Sequence, residues 1–80
     1  MPKLPLLTGP ELRSILLKVG FVDDRQKGSH LRMKRERDDK VVTIPMHPGR
    51  DLDRGLLRDI IKEDLEWTRD YFMKVYNKYR

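Results

Sequence analysis

A histidine, an arginine and a lysine alternate with two apolar residues over residues 30–34 of this chain. Because successive side chains of a β-strand point to opposite faces, we expect His30, Arg32 and Lys34 to share one surface while the apolar residues enter the core. An imidazole beside cations can transfer protons near neutral pH next to a bound phosphate. The pattern therefore predicts a surface that handles RNA.

The turn before this strand would present the histidine to a ligand. Gly28 lets a bulky ligand approach the backbone closely, and Ser29 offers a hydroxyl and an amide. The reaction that we assign is attack of an RNA 2′-hydroxyl on its own adjacent phosphate, with His30 as general base or acid. Lys27 and the strand cations would stabilise the charge on the phosphoryl oxygens. The alternative is that His30 is a polar residue of a binding surface without catalysis.

The second histidine, His47, lies between two prolines just ahead of a predicted helix. Backbone amides at a helix N-terminus favour anions, so His47 and Arg50 are candidates to hold a phosphate. A loop histidine flanked by prolines is more often structural, and that alternative stays open. With two distant histidines, no cysteine and no ligand spacing, the sequence predicts neither a metal site nor a cofactor.

The positive charge of the chain is concentrated in one window. Eighteen Lys and Arg stand against thirteen Asp and Glu, a net charge of +5. Between residues 25 and 37 a single carboxylate, Glu36, opposes the cations Arg25, Lys27, Arg32, Lys34, Arg35 and Arg37. A basic edge on an otherwise balanced domain favours a phosphate backbone as partner. The alternative is a solvated hairpin that its charges keep soluble.

Length and composition predict one domain over residues 1–80, with a modest core. No cysteine is present, which suits a reducing cytoplasm, and no apolar run approaches the ~20 residues that cross a bilayer. The proline-broken start of the chain is unlike a signal peptide. We therefore expect a cytoplasmic protein without membrane contact.

Hydrophobic periodicity predicts an α+β fold with the order α-β-β-β-α-α. Thr8 and Glu11 form a capping box ahead of a helix that runs from residue 9 or 10 to Val19 and stops at Gly20. Strands are expected over residues 21–27, 29–36 and 41–44. They would form a three-stranded antiparallel sheet with helices on one face and the other face open.

Two helical segments follow the strands. The first should start near Asp51 or Asp53 and present apolar side chains at helical spacing. The second, from Thr68 to Tyr79, carries an aromatic stripe that is most often packing and less often a base-stacking platform. Trp67 stands at the junction. This helix could be short or continuous with the first.

Four motifs in a fixed order are more selective than any of them alone. They are Gly20-Phe21, Gln26-Lys27-Gly28-Ser29-His30, Val42-Thr43-Ile44-Pro45-Met46-His47, and the helix that begins Arg54-Gly55-Leu56-Leu57-Arg58. From about Leu12 to Leu65 the chain thereby resembles the HicA (YcfA-like) mRNA interferase toxins. Residues 66–80 extend beyond that similarity and could pack on the core, form a homodimer or extend contact with RNA.

The resemblance implies a double-stranded-RNA-binding-domain-like fold, cleavage of mRNA without a metal, and a cognate HicB antitoxin that covers the active face. It also implies that His30 is the catalytic histidine and that Gly28 and Ser29 form the turn presenting it. Lys27, Arg32, Lys34, His47 and Arg50 complete the expected RNA-binding set. A non-catalytic RNA-binding module is the alternative function, and a protein-interaction domain with an acidic partner is the third.

Overall fold

The computed structural model describes residues 3–80.

The first helix, α1 (Gly9–Lys18), starts and stops where the sequence predicts, with the expected caps. At the start, the Thr8 hydroxyl accepts a hydrogen bond from the Glu11 N–H at 3.2 Å, and the Glu11 carboxylate accepts one from the Thr8 N–H at 2.7 Å. At the end, the Phe21 N–H reaches back to the Leu16 carbonyl at 3.0 Å. These local bonds satisfy backbone groups that a helix leaves unpaired, which is why short sequence motifs predicted both ends.

Three antiparallel strands form an open sheet in the order β1-β2-β3. They are β1 (Val22–Lys27), β2 (His30–Arg35) and β3 (Lys40–Pro45). One turn of 3-10 helix, Glu36–Asp38, and Asp39 in the left-handed conformation connect β2 to β3. The predicted sheet is confirmed, with strand ends that differ by at most one residue from the prediction.

The hairpin between β1 and β2 brings Lys27 opposite His30, and His30 in turn lies opposite Pro45 of β3. Gly28 adopts φ +59, a conformation that L side chains rarely take. An added Cβ on Gly28 would meet nothing within 4 Å, so the backbone angle and not crowding requires glycine here. The turn therefore sets which β1 residue faces the histidine.

The second helix, α2 (Arg54–Asp59), starts at the later of the two predicted caps. The Asp53 carboxylate accepts a hydrogen bond from the Leu56 N–H at 3.1 Å. The helix widens into a π-helical turn, Ile60–Asp64, and ends before Glu66, which has φ +56. Helical periodicity predicted the apolar face of this segment but not the wider turn.

The third helix, α3 (Arg69–Tyr79), is separate from α2. Its N-cap is Thr68, whose hydroxyl accepts a hydrogen bond from the Tyr71 N–H at 3.0 Å. Phe72 and Val75 are buried, Trp67, Tyr76 and Tyr79 are half-buried against the core, and Tyr71 is exposed. The aromatic stripe of α3 therefore serves mainly to pack this helix on the core. A homodimer formed through residues 66–80 stays a prediction.

The helices cover one face of the sheet, as predicted. The side chains that the sheet and α1 bury are Leu12, Ile15, Leu16, Leu31, Met33, Val42 and Ile44. The later helical segments add Leu57, Ile60, Ile61, Leu65, Phe72 and Val75. Exposed and buried residues alternate along β2, so its exposed residues lie on the open face. The Lys40 ammonium donates to the Leu65 carbonyl and so ties β3 to the end of the π-helical turn.

Arg35 is not part of the basic surface that the sequence predicts. Its side chain is only 6% exposed. Its guanidinium donates to the Val19 carbonyl at 2.8 Å and to the Asp38 carboxylate at 2.6 Å, and it lies 4.7 Å from the centre of the Phe21 ring. Strand alternation turns this residue inward, so the expectation of six cations on one exposed edge is wrong for Arg35.

Candidate functional site

His30 is exposed at the turn end of the open face. Two shallow clefts meet at its side chain. One has a volume of about 450 Å³ and lies on the sheet, where its lining includes Arg25, Lys27, Arg32 and Thr43; we call it the sheet cleft. The other has a volume of about 500 Å³, and its lining includes Pro45, His47, Arg50, Asp51, Asp53 and Leu56; we call it the loop cleft. A ligand bound at His30 could therefore extend into both the sheet cleft and the loop cleft.

The two histidines come together through one backbone contact. The Met46 N–H donates to the Ser29 carbonyl, which joins the residue before His30 to the residue before His47. A turn closed by the Arg50 N–H on the His47 carbonyl at 3.1 Å then folds the loop back. Both imidazoles consequently line the loop cleft.

The N-terminal end of α1 supports this corner of the molecule. A Cβ on Gly9 would lie 2.0 Å from the Pro45 carbonyl oxygen and 3.2 Å from the Met46 sulfur, so only glycine permits the approach. The Leu52 N–H donates to the Leu7 carbonyl at 2.8 Å on the same side. The N-terminal segment thereby fixes both ends of the loop that carries His47.

Carboxylates neutralise part of the open face. Asp24, at a bulge in β1, lies 3.1 Å from the Arg32 guanidinium and 3.6 Å from the Lys34 ammonium. Arg25 and Lys27 have no carboxylate within 4.0 Å in the part of the chain that the structure describes. The positive charge available to a phosphate in the free protein therefore lies mainly beside the hairpin turn.

Outside the clefts, Asp23 forms an ion pair with Arg13 of α1 at 2.7 Å. The hydrogen bonds from this guanidinium lower the pKa of the Asp23 carboxyl below its ordinary value, against a smaller opposing effect of burial. Asp23 and Asp24 are neighbours in sequence but engage different faces of β1. Asp23 ties the edge strand β1 to α1, and Asp24 binds Arg32 and Lys34 on the open face.

The structure brings together most, but not all, of the residues expected at the site. Lys27, His30, Arg32, His47 and Arg50 line the two clefts. Ser29 supplies the carbonyl that holds Met46, and Gly28 forms the turn. Lys34 lines neither cleft and lies farther along β2, beside Asp24.

Several residues around these clefts were not predicted as site residues, and four of them bear directly on the charge or the walls of the clefts. Arg25 pairs with Arg32 in register, and Thr43 lies across from Arg32 on the other side. Asp24 engages the cations from the bulge, and Leu56 lines the loop cleft from α2. Strand register could have identified Thr43, but the bulge in β1 carries no clear sequence signal.

Within residues 3–80, no three His, Cys, Asp or Glu side chains are grouped so that they could hold a metal ion. None of the helices in that range is long and apolar enough to cross a membrane.

A comparison with protein families matches residues 9–64 to one family, described as the HicA toxin of bacterial toxin-antitoxin systems. The match spans α1, the sheet, both clefts at His30, α2 and the π-helical turn. Trp67 and α3 lie beyond it. No curated protein matches the chain.

Proposed function

The chain belongs to the HicA family of toxins from bacterial toxin-antitoxin systems, and on that premise we propose that it is an endoribonuclease that cleaves mRNA without a metal ion. A toxin of this family has a cognate antitoxin, and we propose a HicB-like protein for that role. The observation that carries the nuclease proposal is the exposed His30 side chain between two clefts, with cations on either side. We propose the cytoplasm, where mRNA is found, as the place of action.

The reaction is a transfer of the phosphoryl group within one strand. The 2′-oxygen attacks the adjacent phosphorus, an O2′–P bond forms, and the P–O5′ bond breaks. One fragment ends in a 2′,3′-cyclic phosphate and the other begins with a 5′-hydroxyl. A base must take the proton of the 2′-hydroxyl, and an acid must supply one to the departing 5′-oxygen. His30 is the side chain that we assign to one of these two transfers.

His47 is the candidate for the other transfer. Both imidazoles line the loop cleft, and the Ser29–Met46 backbone contact holds their segments side by side. Histidine is the side chain best suited to proton transfer near neutral pH. This geometry supports a two-histidine mechanism, with Arg50 beside His47 to hold a phosphate oxygen.

Phosphate binding is assigned to the cations of the sheet cleft. Lys27 lies opposite His30 in the register, and Arg25 lies opposite Arg32. Cations that surround a phosphoryl group stabilise the charge that develops on its oxygens during attack. Lys34 would join them only after it leaves Asp24.

Replacement of His30 by Ala tests the enzyme against the binding module. We expect a loss of about 10²- to 10⁴-fold in the cleavage rate, because a positioned acid or base contributes that much. Affinity for a 2′-O-methyl RNA, which cannot be cleaved, should change little. His47→Ala should also slow cleavage if it supplies the second proton transfer. A full cleavage rate for His30→Ala would contradict the assignment.

The second candidate is an RNA-binding module without catalysis, and the cationic sheet cleft is the feature that favours it. A wild-type protein that binds RNA but leaves it intact would support this module. The third candidate, a domain that binds only an acidic protein, predicts negligible affinity for RNA at physiological salt. Affinity for purified antitoxin, affinity for RNA and cleavage of RNA, measured in the same buffer, separate these outcomes.

A further inference from the structure

A second group of cations surrounds a cleft on the helical side of the molecule, outside the site at His30. Two adjoining cavities of about 290 and 280 Å³ share Leu4, Arg58 and Arg69 in their linings. The charged and aromatic residues of this helix-side cleft are Lys3, Arg54, Arg58, Lys62, Trp67 and Arg69. They come from the N-terminal segment, the outer face of α2 with its π-helical turn, and the start of α3.

The charged side chains that line the helix-side cleft are all positive. Five cationic side chains line it, and no carboxylate does so in the part of the chain that the structure describes. Arg58 lies 3.9 Å from the Asp59 carboxylate, and both side chains are 65% exposed, so that this pair is weak. By contrast, Arg13 and Arg35 each have a carboxylate within 2.7 Å. Several cations around one concavity repel one another and favour an anionic ligand.

Trp67 adds a flat aromatic surface to these charges. It is half-buried in the wall of the cleft. Its ring meets the Tyr71 ring edge-on with 4.9 Å between the centroids, and its backbone N–H donates to the Ile61 carbonyl at 2.9 Å. The indole is therefore held in place in the wall of a cavity that Arg58 and Lys62 also line. An aromatic ring next to cations is the combination that binds a base and its phosphates in single-stranded nucleic acid.

We propose that the helix-side cleft binds a single-stranded segment of RNA, with a base stacked on Trp67 and phosphates on Arg58 and Lys62. The cleft adjoins the proposed cleavage site at the start of α2, because Asp53 lines the loop cleft and the next residue, Arg54, lines the helix-side cleft. A strand that leaves His30 through the loop cleft can continue around this helix end. The inference rests on the proposed function in taking RNA as the ligand.

Trp67 is the only tryptophan of the chain, so its fluorescence reports on this cleft directly. Titration of His30→Ala protein with a single-stranded 2′-O-methyl RNA should quench the emission, because a stacked base quenches indole. The double variant Arg58→Gln, Lys62→Gln should bind at least about fivefold more weakly. The slope of log affinity against log salt should also fall by about 1.4, since each lost phosphate contact removes about 0.7.

The matched control is Lys18→Gln, Lys74→Gln, which also removes two exposed cations but from positions that line neither cavity. Its binding and quenching should remain within about twofold of those of the parent. Equal losses in both double variants would overturn the proposal, because they would show a general effect of charge. Absence of quenching at saturating RNA would overturn it as well.

Poly-glutamate distinguishes an acidic protein segment from RNA as the occupant. If it displaced the RNA from the cleft at equal charge concentration, the cleft would be a site for an acidic protein, and the proposal would be wrong. Cleavage assays separate this inference from the proposed function. Cleavage that depends on His30 together with unchanged binding by Arg58→Gln, Lys62→Gln would refute the helix-side cleft alone. Quenching by RNA without any cleavage by the wild-type protein would refute the nuclease alone.

Discussion

The Asp24 carboxylate lies 3.1 Å from the Arg32 guanidinium, on the same open face as His30. It also lies 3.6 Å from the Lys34 ammonium. The free protein therefore holds two cations of the open face with a carboxylate of its own. A phosphate that binds these cations must replace Asp24 or share them with it, so we expect the pairing to reduce the affinity of the proposed RNA surface.

Replacement of Asp24 by Asn should strengthen binding of RNA. We expect a gain of about two- to fivefold, because exposed ion pairs of this kind are worth up to about 1 kcal/mol. The salt dependence of binding should become steeper, because Arg32 and Lys34 become available for phosphate contacts. Fluorescence polarisation with a 2′-O-methyl RNA at several salt concentrations measures both quantities.

Asp39→Asn is the matched control for that measurement, because Asp39 is an exposed carboxylate in the left-handed region at a turn, where Asn is also tolerated. It should leave the salt slope as it is. If Asp24→Asn lowered the affinity, or if both variants raised it equally, the competition between Asp24 and phosphate would be disproved.

Replacement of Arg35 by Met should destabilise the fold without altering RNA binding. The substitution leaves the Val19 carbonyl without its guanidinium donor and removes the ion pair with Asp38. Loss of such part-buried contacts should lower the free energy of unfolding by about 1–3 kcal/mol. Urea denaturation measures this change, and the salt slope of RNA binding provides the second readout. A stable variant with weakened RNA binding would show instead that Arg35 serves the RNA surface.

Asp38 should make the stability depend on pH. The hydrogen bond from Arg35 lowers the pKa of the Asp38 carboxyl below its ordinary value of 3.8. Since the folded-state pKa lies below the unfolded one, the stabilisation is present above about pH 4 and is lost as the pH falls through the folded-state pKa. Wild-type protein should therefore exceed Asp38→Asn in stability at pH 7, and the difference should shrink in acid. A difference independent of pH would contradict this linkage.

The pKa shift of Asp64 has the opposite sign to that of Asp38, so Asp64 serves as the comparison. Burial raises the pKa of its carboxyl above the ordinary value, with smaller contributions from Glu63 and Asp59. Its favourable contribution is present below the unfolded-state pKa and is lost as the pH rises through the folded-state pKa. Asp64→Asn should consequently be more stable than wild type at pH 7 and equal to it in strong acid. Thermal unfolding at a series of pH values measures both variants.

Local patterns predicted those features of the fold that local bonds decide. The capping box at Thr8 and the alternation at His30 need only a few neighbouring residues, and both are confirmed. Arg35 was misassigned because nearby cations suggested a common surface, whereas alternation along β2 turns its side chain inward. The alternation in the sequence is sufficient to place Arg35 on the inner face, because strand register and not the charge of neighbouring residues decides where a side chain points.

Other features depend on contacts between distant segments. The approach of Gly9 to Pro45 and the Ser29–Met46 bond join parts of the chain that the sequence does not relate. The helix-side cleft likewise needs Lys3, α2 and the start of α3 together. Arg58 and Lys62 stand four residues apart, a spacing that places both on one face of a helix, but no local pattern relates them to Lys3 or Trp67.

The chemical ends of the RNA fragments test the central claim most directly. Wild-type protein and RNA, incubated with a chelator of divalent metals, should yield fragments with 2′,3′-cyclic phosphates and 5′-hydroxyls. Under the same conditions His30→Ala should yield at least about 10²-fold fewer of these fragments. Mass spectrometry of the fragments identifies these ends. Fragments with 3′-hydroxyls and 5′-phosphates, or cleavage that the chelator abolishes, would contradict attack by the 2′-hydroxyl with a histidine as acid or base.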